Sequence, residues 1–116
     1  MADQSQFLDA VKAGYQFKGE HAKIGAGMFN GEVVAGADVF IPLKTLNRHG
    51  LIAGATGTGK TKTLHVISEI LSNNSVPVLL MDIKGDLSGI AAPGVLNDRL
   101  AERCQKINIS YQPAAY

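Results

Sequence analysis

One octapeptide limits this chain more than any other feature: Gly54-Ala55-Thr56-Gly57-Thr58-Gly59-Lys60-Thr61. It fits the pattern G-x-x-x-x-G-K-[ST], a loop that wraps nucleotide phosphates. Glycines at 57 and 59 let the backbone bend so that successive N–H groups point at phosphate oxygens. A helix beginning at Lys60 adds the partial positive charge of its N-terminus and its free amide donors. Lys60 supplies a flexible point charge for the β- and γ-phosphates. The Thr61 hydroxyl is the expected ligand of Mg²⁺, an ion that keeps its waters and takes few protein ligands. Lys62, on the first turn of the helix, is an additional candidate for nucleotide contact. The expected ligands are therefore ATP and Mg²⁺. The plain alternative is a Gly/Thr-rich loop that only turns a strand into a helix.

The rest of the sequence supplies a setting for this loop. Leu51-Ile52-Ala53 reads as a short buried strand leading into it. After it, Leu64, Ile67, Ile70 and Leu71 lie at helical spacing, so a helix is expected over 60–73, stopped by Asn73-Asn74-Ser75. His65 and Glu69 sit four apart on another face. Val78-Leu79-Leu80-Met81 is a continuous apolar run of the kind found in strands buried on both faces of a parallel sheet. A Gly-rich loop is expected over 83–94, a helix over 96–104 and a further core strand over 107–111. The resulting order β-α-β-α-β argues for a parallel sheet flanked by helices. Upstream, Phe7, Leu8, Val11 and Tyr15 predict an amphipathic helix over 4–14, capped by Asp3. Strands are expected over 22–29, 32–35 and 38–42, with Asn30-Gly31 as a hairpin turn and Pro42 ending the last.

Composition excludes several function classes. The chain has 116 residues, 46% of them apolar and 18% charged, enough for one modest domain with a core. No run reaches the roughly 18 apolar residues of a membrane span, and the N-terminus lacks the pattern of a signal peptide. Cys104 stands alone, so no internal disulfide forms, and a cytoplasmic location is expected. A net charge of +1 gives no electrostatic footprint for nucleic acid. His21, His49 and His65 have no ligand-like spacing, and Lys12, Lys18 and Lys23 read as solvated charges.

Asp82 lies 22 positions after Lys60, at the end of the predicted strand 78–81, the edge where open α/β sheets bind ligands. It admits several readings: a Mg²⁺-holding carboxylate, an additional nucleotide contact, or a residue that merely caps a turn. A dinucleotide-binding fold would place a ribose-binding acid near this position, but Lys60-Thr61 is foreign to its glycine pattern. A GTPase reading rests on two D-x-x-G segments, Asp82–Gly85 and Asp86–Gly89, and lacks a base-reading Asn-Lys-x-Asp.

Two stretches together resemble a known family. Asp38-Val39-Phe40-Ile41-Pro42-Leu43 followed by Arg48-His49-Gly50-Leu51-Ile52-Ala53-Gly54 and the loop is similar to the approach to the phosphate loop in the HerA–FtsK superfamily. Val78–Asp82 with Ile83-Lys84-Gly85-Asp86-Leu87-Ser88 resembles that superfamily's second strand and its Asp-x-Lys-Gly-acid turn. The nearest likeness is to bacterial HerA-helicase-like ATPases, over about residues 22–116. The resemblance implies a RecA-like P-loop ATPase that pulls or unwinds duplex DNA as a homo-oligomer, usually a hexamer. It also implies a catalytic Asp-Glu pair and an arginine finger further along a longer chain, so this sequence reads as the N-terminal part of such a protein. On that reading its own hydrolysis is negligible, and Asp82 is a neighbour of the nucleotide site.

The expected fold is thus α/β: an incomplete P-loop parallel sheet over 45–116, preceded by a helix and β-hairpin region over 1–44. Two other functions stay open. One is a nucleotide-binding module without motor activity. The other is a small P-loop kinase, for which only Arg99 and Arg103 follow the loop as lid arginines.

Overall fold

A tight turn at Asn30-Gly31 organises the first part of the computed structural model, which describes residues 3–116. Asn30 has φ +51° and Gly31 φ +84°, the two positive values that a type I′ hairpin turn requires. Phe29 pairs with Glu32 across it. The strands are β1 (His21–Phe29) and β2 (Glu32–Pro42), a single antiparallel pair. The two strands expected over 32–35 and 38–42 are one continuous strand. Its ladder is irregular: between the pairs Ala26↔Asp38 and Met28↔Val33, β1 contributes Gly27 alone and β2 contributes Val34 to Ala37. Such extra residues bend a strand and redirect its side chains, and here Val34 and Ala37 turn into the core. Pro42 ends β2 as expected, and a 3₁₀ turn (Leu43–Thr45) follows.

Helix α1 (Gln4–Gly14) covers the helix expected over 4–14. Asp3 occupies its N-cap with extended backbone, and the Ser5 hydroxyl donates to the Asp3 carboxylate at 2.8 Å. Lys12 in the last turn complements the helix dipole. The helix seats on the hairpin through Phe7, whose ring lies 5.5 Å from that of Phe29. Gly27 makes this contact possible. A Cβ built there would stand 3.0 Å from Phe7 Cζ and 3.1 Å from Ala37 Cβ, closer than packed carbons approach.

The chain divides into two units, one running to Asn47 and taking in Leu96–Tyr111, the other Arg48–Val95 with Gln112–Tyr116. In the second, α2 (Lys60–Asn73) covers the span expected for it. Its end is a left-handed cap. Ser75 has φ +60°, Val76 N–H reaches back to Leu71 O at 2.9 Å, and Ser75 N–H to Ser72 O at 3.0 Å. This is the pair of bonds of a Schellman stop. The Tyr116 N–H donates to Ile90 O at 3.2 Å, and Asn73 Nδ2 donates to the Tyr116 hydroxyl at 3.1 Å. In the first unit, α3 (Asp98–Lys106) starts at Asn97, whose side chain accepts from Leu100 N–H at 2.9 Å. It ends with the same stop: Asn108 has φ +52°, and Ile109 N–H bonds to Cys104 O at 2.9 Å.

The expected parallel-sheet P-loop architecture is not what the chain forms. Among the described residues the sheet is two-stranded and antiparallel, and it lies entirely within 21–42. The runs 51–53, 78–81 and 107–111 contain no strand. The last has a local cause, because Ile107, Asn108 and Ile109 are consumed by the stop of α3. For the other two the cause is non-local. A strand exists only when a neighbour satisfies its backbone groups, and neither run has a ladder partner. Leu51, Leu79 and Met81 consequently keep 85–90% of their surface exposed.

Directly after the second of these runs, Asp82 builds a turn of its own. Its Oδ2 accepts from Leu87 N–H at 2.7 Å and its Oδ1 from Gly85 N–H at 2.8 Å and Lys84 N–H at 3.1 Å. Gly85 takes φ +79°, and the buried Leu87 side chain anchors the far end. The Leu87 N–H is the chief cause that holds the Asp82 carboxyl below its usual value. Partial desolvation opposes it, and Gly85, Lys84 and Asp86 N–H add to it.

Two predictions follow from these contacts. Gly27→Val should lower unfolding stability by about 1–3 kcal/mol through overpacking against Phe7 and Ala37, measured by urea denaturation. Gly25→Ala, where a Cβ meets nothing within 4 Å, should not destabilise the fold. A carboxyl with a lowered folded pKa stabilises above its unfolded value, near 3.9, and loses that contribution as pH falls through the folded value. The amide shifts of Gly85 and Leu87 should therefore hold steady from neutral pH into the ordinary carboxylate range and move only below it. In Asp82→Asn that acid step should vanish.

Candidate phosphate-binding loop

The loop 54–59 is exposed and runs straight into the first turn of α2. Gly57 has φ +81° and Gly59 φ +95°. Both are left-handed values that side chains disfavour, so the two glycines are needed by the conformation itself. Gly59 is also the N-cap of α2, with no side-chain hydrogen bond capping the helix. The first helical N–H groups, at Lys60, Thr61 and Lys62, have no intrahelical acceptor. Thr63 N–H is the first to find one, donating to Gly59 O at 3.0 Å.

Ala55 is the hub of the loop. Its carbonyl accepts from Thr58 N–H at 3.3 Å, from the Thr58 hydroxyl at 2.7 Å and from Lys60 Nζ at 2.7 Å. The ammonium has three donors, and the one used here folds Lys60 back across the loop. Gly54 is required by this packing, since a Cβ there would stand 2.7 Å from Thr58 Oγ1. Sequence reasoning missed the role of Ala55, because a main-chain carbonyl leaves no mark in residue type.

The electrostatics favour an anion. The first turn of α2 contains no acidic residue but carries Lys60 and Lys62, placed where the helix dipole is already positive. An acidic side chain would ordinarily sit there and gain about 0.3–1 kcal/mol. The arrangement is costly alone and becomes favourable when a negative ligand is bound.

The threonine hydroxyls separate into committed and uncommitted ones. Thr58 donates to Ala55 O and Thr63 to Gly59 O, the latter at 3.2 Å. The Thr61 hydroxyl makes no hydrogen bond among the described residues and is exposed. It thus fits the part of a metal ligand beside a bound phosphate. No group of three or more His, Cys, Asp or Glu side chains able to hold a metal is present among the described residues. Any divalent ion here would depend on Thr61, water and the nucleotide itself.

The other candidates fall elsewhere. Lys62 and Thr56 are exposed. Asp82 spends both carboxylate oxygens on its own turn, the capping arrangement that one sequence reading allowed. On α2, Ser68 is buried and donates to Leu64 O at 2.8 Å. The Nε2 atom of His65 is buried without a hydrogen-bond partner. Lys23, read from sequence as a solvated charge, is ion-paired with Asp38 at 2.7 Å.

Among the described residues, no helix is long and apolar enough to cross a membrane. No curated protein and no solved structure matches the chain. A protein-family model does match, over residues 29–116, about three quarters of the sequence. The matched span takes in 38–43, 48–61 and 78–88, the segments on which the resemblance rests. The chain belongs to the helicase HerA-like C-terminal family.

Proposed function

We propose that the chain binds Mg-ATP through Gly54–Thr61 and contributes this nucleotide site to a HerA-like motor acting on duplex DNA. The observation that carries this reading is the start of α2. Left-handed Gly57 and Gly59, unpaired amides at 60–62 and two lysines without an acidic neighbour converge on one exposed loop.

Each residue has a distinct part in this reading. The amides of 57 and 59–62 hold phosphate oxygens, with Gly54 and Thr58 fixing the bend. Lys60 leaves the Ala55 carbonyl to neutralise the terminal phosphates, and Lys62 adds charge nearby. Thr61 would hold the magnesium ion, which would supply charge neutralisation across the phosphates. Asp82 is left out of the phosphate set, since its oxygens organise the turn 82–87. The family description supports nucleic acid as the partner and a helicase-type role. The groups that phosphoryl transfer needs beyond this loop, the Asp-Glu pair and arginine finger that the resemblance implies, would come from further along a longer chain arranged in the hexamer of the resemblance. The lone half-exposed Cys104 fits a reducing, cytoplasmic setting.

Titration calorimetry with Mg-ATP tests the site. Lys60→Ala should weaken binding about tenfold or more, and removal of Mg²⁺ should weaken the wild-type chain but change Thr61→Ala less. Equal affinity in the wild-type chain and Lys60→Ala would refute the assignment. A steady hydrolysis rate that duplex DNA raises would support the motor. A rate that DNA leaves unchanged would favour a binding module without motor activity.

A further inference from the structure

The first unit contains a cavity of about 530 Å³, bounded by the end of α1, the segment leading into β1, and β2. We infer that it binds a nucleotide unit, with the base held by Tyr15, Phe17 and Phe40 and the phosphate by Lys12 and Lys18. This site is separate from Gly54–Thr61 and does not depend on the function proposed for that loop.

Size and lining both point to this ligand class. The volume falls within the range of roughly 300–1,000 Å³ that holds small organic ligands, the size class of one nucleotide. Its walls include three aromatic side chains. Tyr15 and Phe17 stand edge to face, with centroids 6.4 Å apart, and Phe40 meets the His21 ring at 4.9 Å and 88°. An edge-to-face pair uses one face of one ring, so each pair leaves further ring faces uncommitted within it for a flat guest. Stacking of a base on such faces is tolerant of base identity.

The charges at the cavity are unbalanced in favour of an anion. Asp38 is its acidic lining residue, and Lys23 neutralises it at 2.7 Å. Lys12 and Lys18 also line the cavity and have no salt-bridge partner among the described residues. A phosphate would provide one. Hydrogen-bonding groups for a base edge are present as well. The His21 Nδ1 donates to Gly19 O at 2.9 Å, because a carbonyl can only accept. In the neutral ring Nε2 is therefore left as an acceptor. A purely apolar aromatic anion would leave that acceptor without use.

The probe is uridine monophosphate, added to isotope-labelled Lys60→Ala chain so that the loop site is silenced, with amide shifts followed by NMR. The expected result is saturable shifts at Lys12, Tyr15, Phe17, His21 and Phe40. Lys12→Ala/Lys18→Ala should weaken them about tenfold while the Phe7 and Phe29 signals report an intact fold. Tyr15→Ala should weaken them too, and uridine without phosphate should bind less well than the monophosphate. A short thymidylate oligomer, added in parallel, identifies the source. Tighter binding of the oligomer assigns the site to a single strand of nucleic acid, and equal binding assigns it to free nucleotide. Absence of saturable shifts with both probes would overturn the inference. So would shifts confined to other residues, or uridine binding as well as the monophosphate with no effect of the lysine substitutions.

Discussion

Helix ends control this molecule, and three residues in the left-handed backbone region set them. Gly59 opens α2, Ser75 closes it, and Asn108 closes α3. The opening exposes free amides and creates the candidate phosphate loop. The closings redirect the chain and take up backbone groups that a following strand would need. At Asn108 the consequence is complete, since the stop extends over Ile109. Ser75 and Asn108 adopt their conformation at a steric cost of about 1–2 kcal/mol each, offset by the paired bonds of the cap.

Local features were legible in the sequence and non-local ones were not. Asp3 before Phe7-Leu8-Val11 gave α1, and the loop glycines followed by Leu64, Ile67 and Ile70 gave α2. Asn30-Gly31 gave the hairpin, because the turn chemistry and the register it fixes lie in two residues. The apolar runs 51–53 and 78–81 satisfied the composition of core strands, but pairing depends on a neighbour elsewhere in the chain. Composition cannot name that neighbour, so the parallel sheet was an inference from order alone. The family, by contrast, was legible from short stretches around the loop and the Asp82 turn, which do not depend on sheet pairing.

The candidate site divides along the same line. Gly57, Gly59, Lys60 and Thr61 were identifiable by type, since backbone bend, charge and hydroxyl each demand a particular residue. Ala55 was read only as a member of the loop, and its role as the hub was not legible, because its contribution is a carbonyl. Asp82 looked like a strand-end ligand only while residues 78–81 looked like a strand. Among its own amides it is a structural anion that shapes 82–87. The residues around the hairpin cavity carried no sequence signal, since α1, the segment after it and β2 meet only through the fold.

The bond from Lys60 to the Ala55 carbonyl makes the loop a competitive device. A ligand gains the lysine only by exceeding what a neutral carbonyl already offers. Singly charged anions compete for it weakly, while a polyphosphate with several oxygens and a metal ion can draw it away. If the loop is the nucleotide site proposed above, the parked lysine would set a threshold of charge that a ligand must exceed to draw it from Ala55. On the proposed reading of the loop, selectivity for a triphosphate over smaller anions would arise from an internal rival instead of an excluding pocket wall.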